Sequence, residues 1–148
     1  MSDYGRRIVV DQTFDAVVSE ASRLIREEGL QPIARVDVRD HFWRDLRHDF
    51  RLYFIVQVWS PELALESLLR NLDIGTVLAT TFAMYELADG ETCVVVRDPF
   101  SSMAADPEWR RNNPELAAIA DRESDKIGRV LSRLQERPAN HGSVSPAA

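Results

Sequence analysis

A single cysteine, Cys93, stands among the 148 residues of this chain. The chain therefore closes no disulfide within itself, and it builds no thiolate-rich metal site or iron–sulfur cluster alone. Positive charge is also in short supply. Eighteen Lys and Arg face 24 Asp and Glu, leaving a formal net charge of −6, which is not the electrostatic footprint of a general nucleic-acid binder. No window approaches the ~18 consecutive apolar residues of a membrane span. The opening stretch MSDYGRRIVVDQTFD lacks the apolar run of a signal peptide, so a cytoplasmic location is expected, with neither membrane nor nucleic acid as a partner. A Gly-rich phosphate loop, an HExxH pair and a nucleotide fingerprint are all missing.

What the chain does have is apolar residues, 45% of the total, enough for one sizeable core. One domain is expected over residues 1–137. Residues 138–148 turn to Ala, Asn, Gly, Ser and Pro without periodicity and are expected to form a disordered tail. Arg7–Val10 is a β-branched run suited to an edge strand. Thr13 has an N-cap side chain, Phe14, Val17, Val18, Ala21, Leu24 and Ile25 follow at helical spacing, and Gly29 is a natural residue just past a helix end. Pro32–Arg39 alternates, with Ala34, Val36 and Val38 on one side, and predicts a strand with one wet face. Asp40–Asp49, which holds Phe42 and Trp43, predicts a short helix capped by Asp40.

Tyr53 to Val96 is the stretch around which the rest is organised. Leu52–Trp59 is apolar on both faces, as a central strand is. Ser60 caps a helix opened by Pro61, with Leu65, Leu68, Leu69 and Leu72 as its apolar stripe. Thr76–Leu87 predicts a long strand, Asp89-Gly90 a hairpin turn, and Glu91–Arg97 the returning strand. Asp98-Pro99 breaks that strand and predicts a loop through Ser101, Ser102, Asp106 and Pro107. A last helix opens at Pro114 with a stripe of Leu116, Ile119, Ala120, Ile127, Val130, Leu131 and Leu134.

The order β-α-β-(α)-β-α-β-β-α defines an α+β fold with a mostly antiparallel sheet. Five strands at ~4.8 Å spacing make a sheet roughly 20–25 Å wide, and two helices at ~8–10 Å separation nearly cover one face of it. The second face, with Tyr53, Ile55 and Trp59, then needs the Pro61 helix, the Phe42–Trp43 segment, a ligand or a second subunit. An uncovered apolar patch of that size is unusual on a soluble monomer, so a homodimer is expected.

An apolar strand ending in a turn and Pro61, then Ala64, Leu68, Leu69, Gly75, the Thr76–Leu87 strand and hairpin, and the Asp98-Pro99…Met103 loop form a recognisable series. With the Phe14-to-Gly29 helix and the final P-E-L-A-x-I-A helix, they resemble the domain-of-unknown-function family numbered three hundred and two, over roughly residues 8–134. The resemblance implies an α+β fold similar to the TATA-binding-protein group, without DNA binding, and it implies self-association. It brings no general reaction. Many members carry a Cys just before the Pro of the second helix and another after a Leu-Pro in the next strand. Here those places hold Ser60 and Leu78-Ala79-Thr80, so thiol or metal chemistry resting on those cysteines does not carry over.

His41, Asp45 and His48 stand at i, i+4 and i+7, one stripe of a helix. Two imidazoles and a carboxylate suit Zn(II) or Fe(II), although Arg44 and Arg47 nearby oppose a cation. The plain alternative is a solvated, charged helix face. Asp98, Ser101 and Ser102 present polar groups to a small ligand, or satisfy their own backbone through Asx and Ser turns. Tyr53, Trp59, Phe82 and Tyr85 line an apolar pocket or simply pack in the core. Cys93, between Thr92 and Val94, reads as a small buried hydrophobe rather than a nucleophile. Trp109-Arg110-Arg111 is expected to be a helix-entry segment. The expected function is a non-catalytic domain that self-associates and takes a small ligand or protein partner on its sheet, with no cofactor. The alternative is a metal- or haem-linked redox or sensing protein using His41 and His48.

Overall fold

The computed structural model describes residues 2–136; the expected tail at 138–148 lies outside them. The order is β1 (Arg6–Val10), α1 (Phe14–Glu27), β2 (Gln31–Asp37), α2 (Val38–Leu46), β3 (Tyr53–Trp59), α3 (Pro61–Arg70), a 3-10 helix (Leu72–Val77), β4 (Thr80–Ala88), β5 (Glu91–Arg97), α4 (Pro99–Ala104), α5 (Pro107–Asn112) and α6 (Pro114–Glu136). The strands form one five-stranded sheet in the order β1-β5-β4-β3-β2, antiparallel throughout.

Period-two alternation divides each strand into two faces. On one face Ile8, Val10, Val56, Val58, Phe82, Met84, Val94 and Val96 meet Val17, Ala21, Leu24 and Ile25 of α1 and Ile127, Val130, Leu131 and Leu134 of α6. A second cluster, beyond the strand ends, joins α3, α4 and the start of α6 through Leu63, Ala64, Ile74, Phe100, Leu116 and Ile119, with Trp59 packed against it. The 23-residue α6 runs through both clusters and ties them together. Caps follow the chemistry of the side chains: Thr13 accepts from the Ala16 N–H, and Ser60 from the Leu63 N–H. Gly90, at φ +76, supplies the positive φ that the β4–β5 turn requires.

Four local expectations need correction. The strand expected over Pro32–Arg39 ends at Asp37, whose side chain accepts from the Asp40 N–H and so caps α2 in place of Asp40. As an edge strand, β2 leaves Ala34 and Val36 exposed. On α3 the buried residues are Leu63, Ala64 and Ser67; of the expected stripe Leu68 is partly buried against the second cluster, while Leu65, Leu69 and, just past the helix, Leu72 lie 60%, 76% and 82% exposed. The strand expected from Thr76 begins at Thr80, because Leu72–Val77 winds into the 3-10 helix. The loop expected after Asp98 is two short helices, each opened by an Asp cap and a Pro: Asp98 with Pro99, and Asp106 with Pro107.

Candidate functional site

Side chains of opposite parity to the core face emerge on the other side of the sheet. Strand register places Tyr53 beside Tyr85, Ile55 beside Ala83, and Gln57 beside Thr81. It places Tyr85 beside Cys93, Ala83 beside Val95, and Thr81 beside Arg97. Arg7 lies across from Val95, and Val9 across from Cys93. The Tyr53 and Tyr85 rings stack at 5.2 Å with 9° between planes. Phe50 leans on Tyr53, and Phe42 of α2 meets Phe50 edge-on at 5.2 Å. This aromatic chain covers one corner of the face. Next to it lies a depression of about 330 Å³, bordered by Ser2, Tyr4, Arg7, Tyr53, Thr81, Ala83, Tyr85, Val95 and Arg97, strand and N-terminal residues with no helix among them.

The N-terminal rim depends on one close approach. Gly5 pairs with Ser2 in an isolated bridge, and a Cβ on Gly5 would run into the Val96 carbonyl oxygen. The Arg7 guanidinium has its pKa raised, first by hydrogen bonding to the Tyr85 side chain. Cys93, on the same face, is fully buried beneath these groups.

Of the residues singled out from sequence, Tyr53 and Tyr85 come together here. Phe82 lies on the opposite face, fully buried in the main core, and Trp59 packs into the second cluster. Asp98 and Ser101 are neighbours because Asp98 caps α4: its Oδ1 accepts from the Ser101 N–H at 3.0 Å, and its carbonyl accepts from the Ser102 hydroxyl at 3.1 Å. They border a smaller cleft of about 260 Å³ with Gly5 and Arg6. The His41–Asp45–His48 stripe does not form. The helix ends at Leu46, Arg47 turns left-handed at φ 52, and His48 leaves the helical surface. His41 instead has an Arg44 Nη2 at 3.3 Å from its Nδ1. Among the described residues no group of three or more His, Cys, Asp or Glu is placed to hold a metal ion.

Sequence reasoning missed Arg7, Ala83, Val95 and Arg97, although strand parity in β1, β4 and β5 puts them on the Tyr85 face. It also missed Glu123, an acid between Ala120 and Ile127 on the buried stripe of α6. Glu123 is 3% exposed; its Oε1 accepts from the Ser60 N–H at 3.4 Å. Burial, and then the neighbouring Asp98, raise its pKa to about 7, against weaker opposing pulls from the Ser60 N–H and then Lys126. Burial also raises the Asp98 pKa, opposed by the Ser101 N–H and Arg6. Glu123 Oε2, Asp98 Oδ2 and Thr80 Oγ1 are buried with no hydrogen-bond partner among the described residues.

These features define an α+β domain with an antiparallel sheet, helices on one face and a depression of strand residues on the other. The chain belongs to the family described as domain of unknown function DUF302, whose model matches residues 7–134. It is similar to the crystal structure of an uncharacterized conserved DUF302 protein from Bacillus stearothermophilus, with a TM-score of 0.70 and 20% identity over 90% of this chain and 99% of that one. At that identity the likeness establishes the fold alone. No curated protein matches the chain. No helix among the described residues is long and apolar enough to cross a membrane.

Proposed function

We propose that this chain is a non-catalytic cytoplasmic binding domain that associates with a second copy and takes a small ligand through the sheet face opposite α1 and α6. The observation that carries the reading is the composition of that face. Val9, Ala34, Val36, Ile55, Ala83 and Val95 are apolar side chains that stay partly or largely open to solvent. Burying apolar area of this kind returns about 25 cal/mol per Å², and contiguous patches of this kind mark binding surfaces. The lone cysteine, buried under Tyr85, is at ease in a reducing compartment. Sedimentation equilibrium at micromolar concentration tests the association: a dimer is expected, and a stable monomer overturns it.

A further inference from the structure

The depression on the open face has a cause in the sheet register. Ala83 sits at the centre of a row running from Val36 and Ile55 to Val95 and Arg7. The next row on one side holds the stacked Tyr53–Tyr85 pair, and the row on the other side ends in Arg97. A methyl group at the middle of larger neighbours leaves a trough with an apolar floor, one aromatic wall and arginines at its margins. Its volume of about 330 Å³ lies at the small end of the ligand-pocket range of roughly 300–1,000 Å³.

The arginines at its margins keep their charge free of a carboxylate partner among the described residues. Most ion pairs tie a helix arginine to an acid, as in Arg70–Glu115, Arg110–Asp121, Arg122–Glu66 and Arg129–Glu28. Among the described residues, neither Arg7 nor Arg97 stands within ion-pair distance of a carboxylate; Glu91 adds only a longer-range attraction to Arg7. Both are exposed, on a chain of net charge −6. Arg7 and Tyr85 both line the trough, so the guanidinium stands at its aromatic wall. A guanidinium beside an aromatic wall and an apolar floor matches a carboxylate joined to a flat body.

We propose that this trough binds a small aromatic carboxylate, its ring on Ala83 and Val95 beside the tyrosine pair and its carboxylate on Arg7, with Arg97 adding positive potential at the far end. The inference rests on the reading of this face as a binding surface and names the ligand class it takes. Replacing the carboxylate by a neutral group removes the charge-assisted hydrogen bond and leaves the ring contact. Removing the ring leaves an anion with little apolar area to bury.

The test uses the full chain, with benzoate, benzyl alcohol and acetate as probes, followed by amide chemical shifts in NMR titrations. Benzoate is expected to shift Ala83, Tyr85, Val95 and Arg7, and to bind at least about tenfold more tightly than either of the other probes. Arg7→Gln and, separately, Arg97→Gln lie at exposed positions; the first is expected to bring benzoate down to the affinity of benzyl alcohol, the second to weaken it less. Equal binding of benzoate and benzyl alcohol, equal binding of benzoate and acetate, shifts confined to another surface, or no binding at millimolar benzoate would each overturn the proposal. Sedimentation of the same samples separates the two readings. A dimer without benzoate binding removes the ligand and keeps the association, whereas a monomer that binds benzoate does the reverse.

Discussion

Glu123 is the residue whose chemistry is most altered by the fold. An ordinary Glu releases its proton near 4.5, but this one, buried and beside Asp98, holds it to about 7. Between those pH values the folded chain binds a proton that the unfolded chain has lost, so stability falls as pH rises through the interval. The stability present below the unfolded value is lost by the time pH passes the folded one, a decline of about 3 kcal/mol from this group. The raised Asp98 pKa acts in the same direction. Glu123→Gln keeps an oxygen for the Ser60 N–H and removes the charge. Urea midpoints measured at about pH 5 and about pH 8 should fall for the natural protein and change much less for the variant. A variant with the same pH dependence as the natural protein would contradict this assignment.

At the scale of the element, α3 shows how packing chooses between faces of similar hydrophobicity. Leu65, Leu68, Leu69 and Leu72 form a regular stripe, yet the helix turns Leu63, Ala64 and Ser67 inward and keeps, of the stripe, Leu68 partly buried. Small residues at Ala64 and Ser67 allow close approach to α6, and the Ser67 hydroxyl is satisfied by the Leu63 carbonyl at 2.8 Å. The Arg70–Glu115 and Arg122–Glu66 pairs connect α3 with α6 along this seam, although exposed pairs contribute at most about 1 kcal/mol each. Leu63→Ala is therefore expected to cost about 2–5 kcal/mol. Leu69→Gln should change stability by less than about 0.5 kcal/mol. Chemical denaturation of the two variants checks the orientation of the helix directly, because the leucine stripe read from sequence predicts the opposite ranking.

For the whole molecule, one helix-lined cluster packs under the sheet, a second joins helices beyond the strand ends, and the other side of the sheet carries the aromatic corner at Tyr53. The proposed association uses that other side, so Ile55→Asp should shift sedimentation toward monomer while leaving the far-UV circular dichroism unchanged. The order of the strands and of α1, α2, α3 and α6, the Thr13 and Ser60 caps, the Asp89-Gly90 turn and the buried stripe of α6 were legible in the chain, since alternation, capping and turn chemistry act between residues close in sequence; α4 and α5 were not. The open second face was legible too, because Leu52–Trp59 is apolar on both sides. Which face of α3 is buried, where β2 gives way to α2, why His48 leaves the His41 stripe, and the pairing of Glu123 with Asp98 were not. Arg7, Ala83, Tyr85 and Val95 lie far apart in the chain and meet only through strand register. Local sequence thus determined the strands, the longer helices and their order. The choice among equally apolar faces, and the meeting of distant polar groups, belonged to the tertiary structure, because burial and charge proximity arise only when separate elements pack.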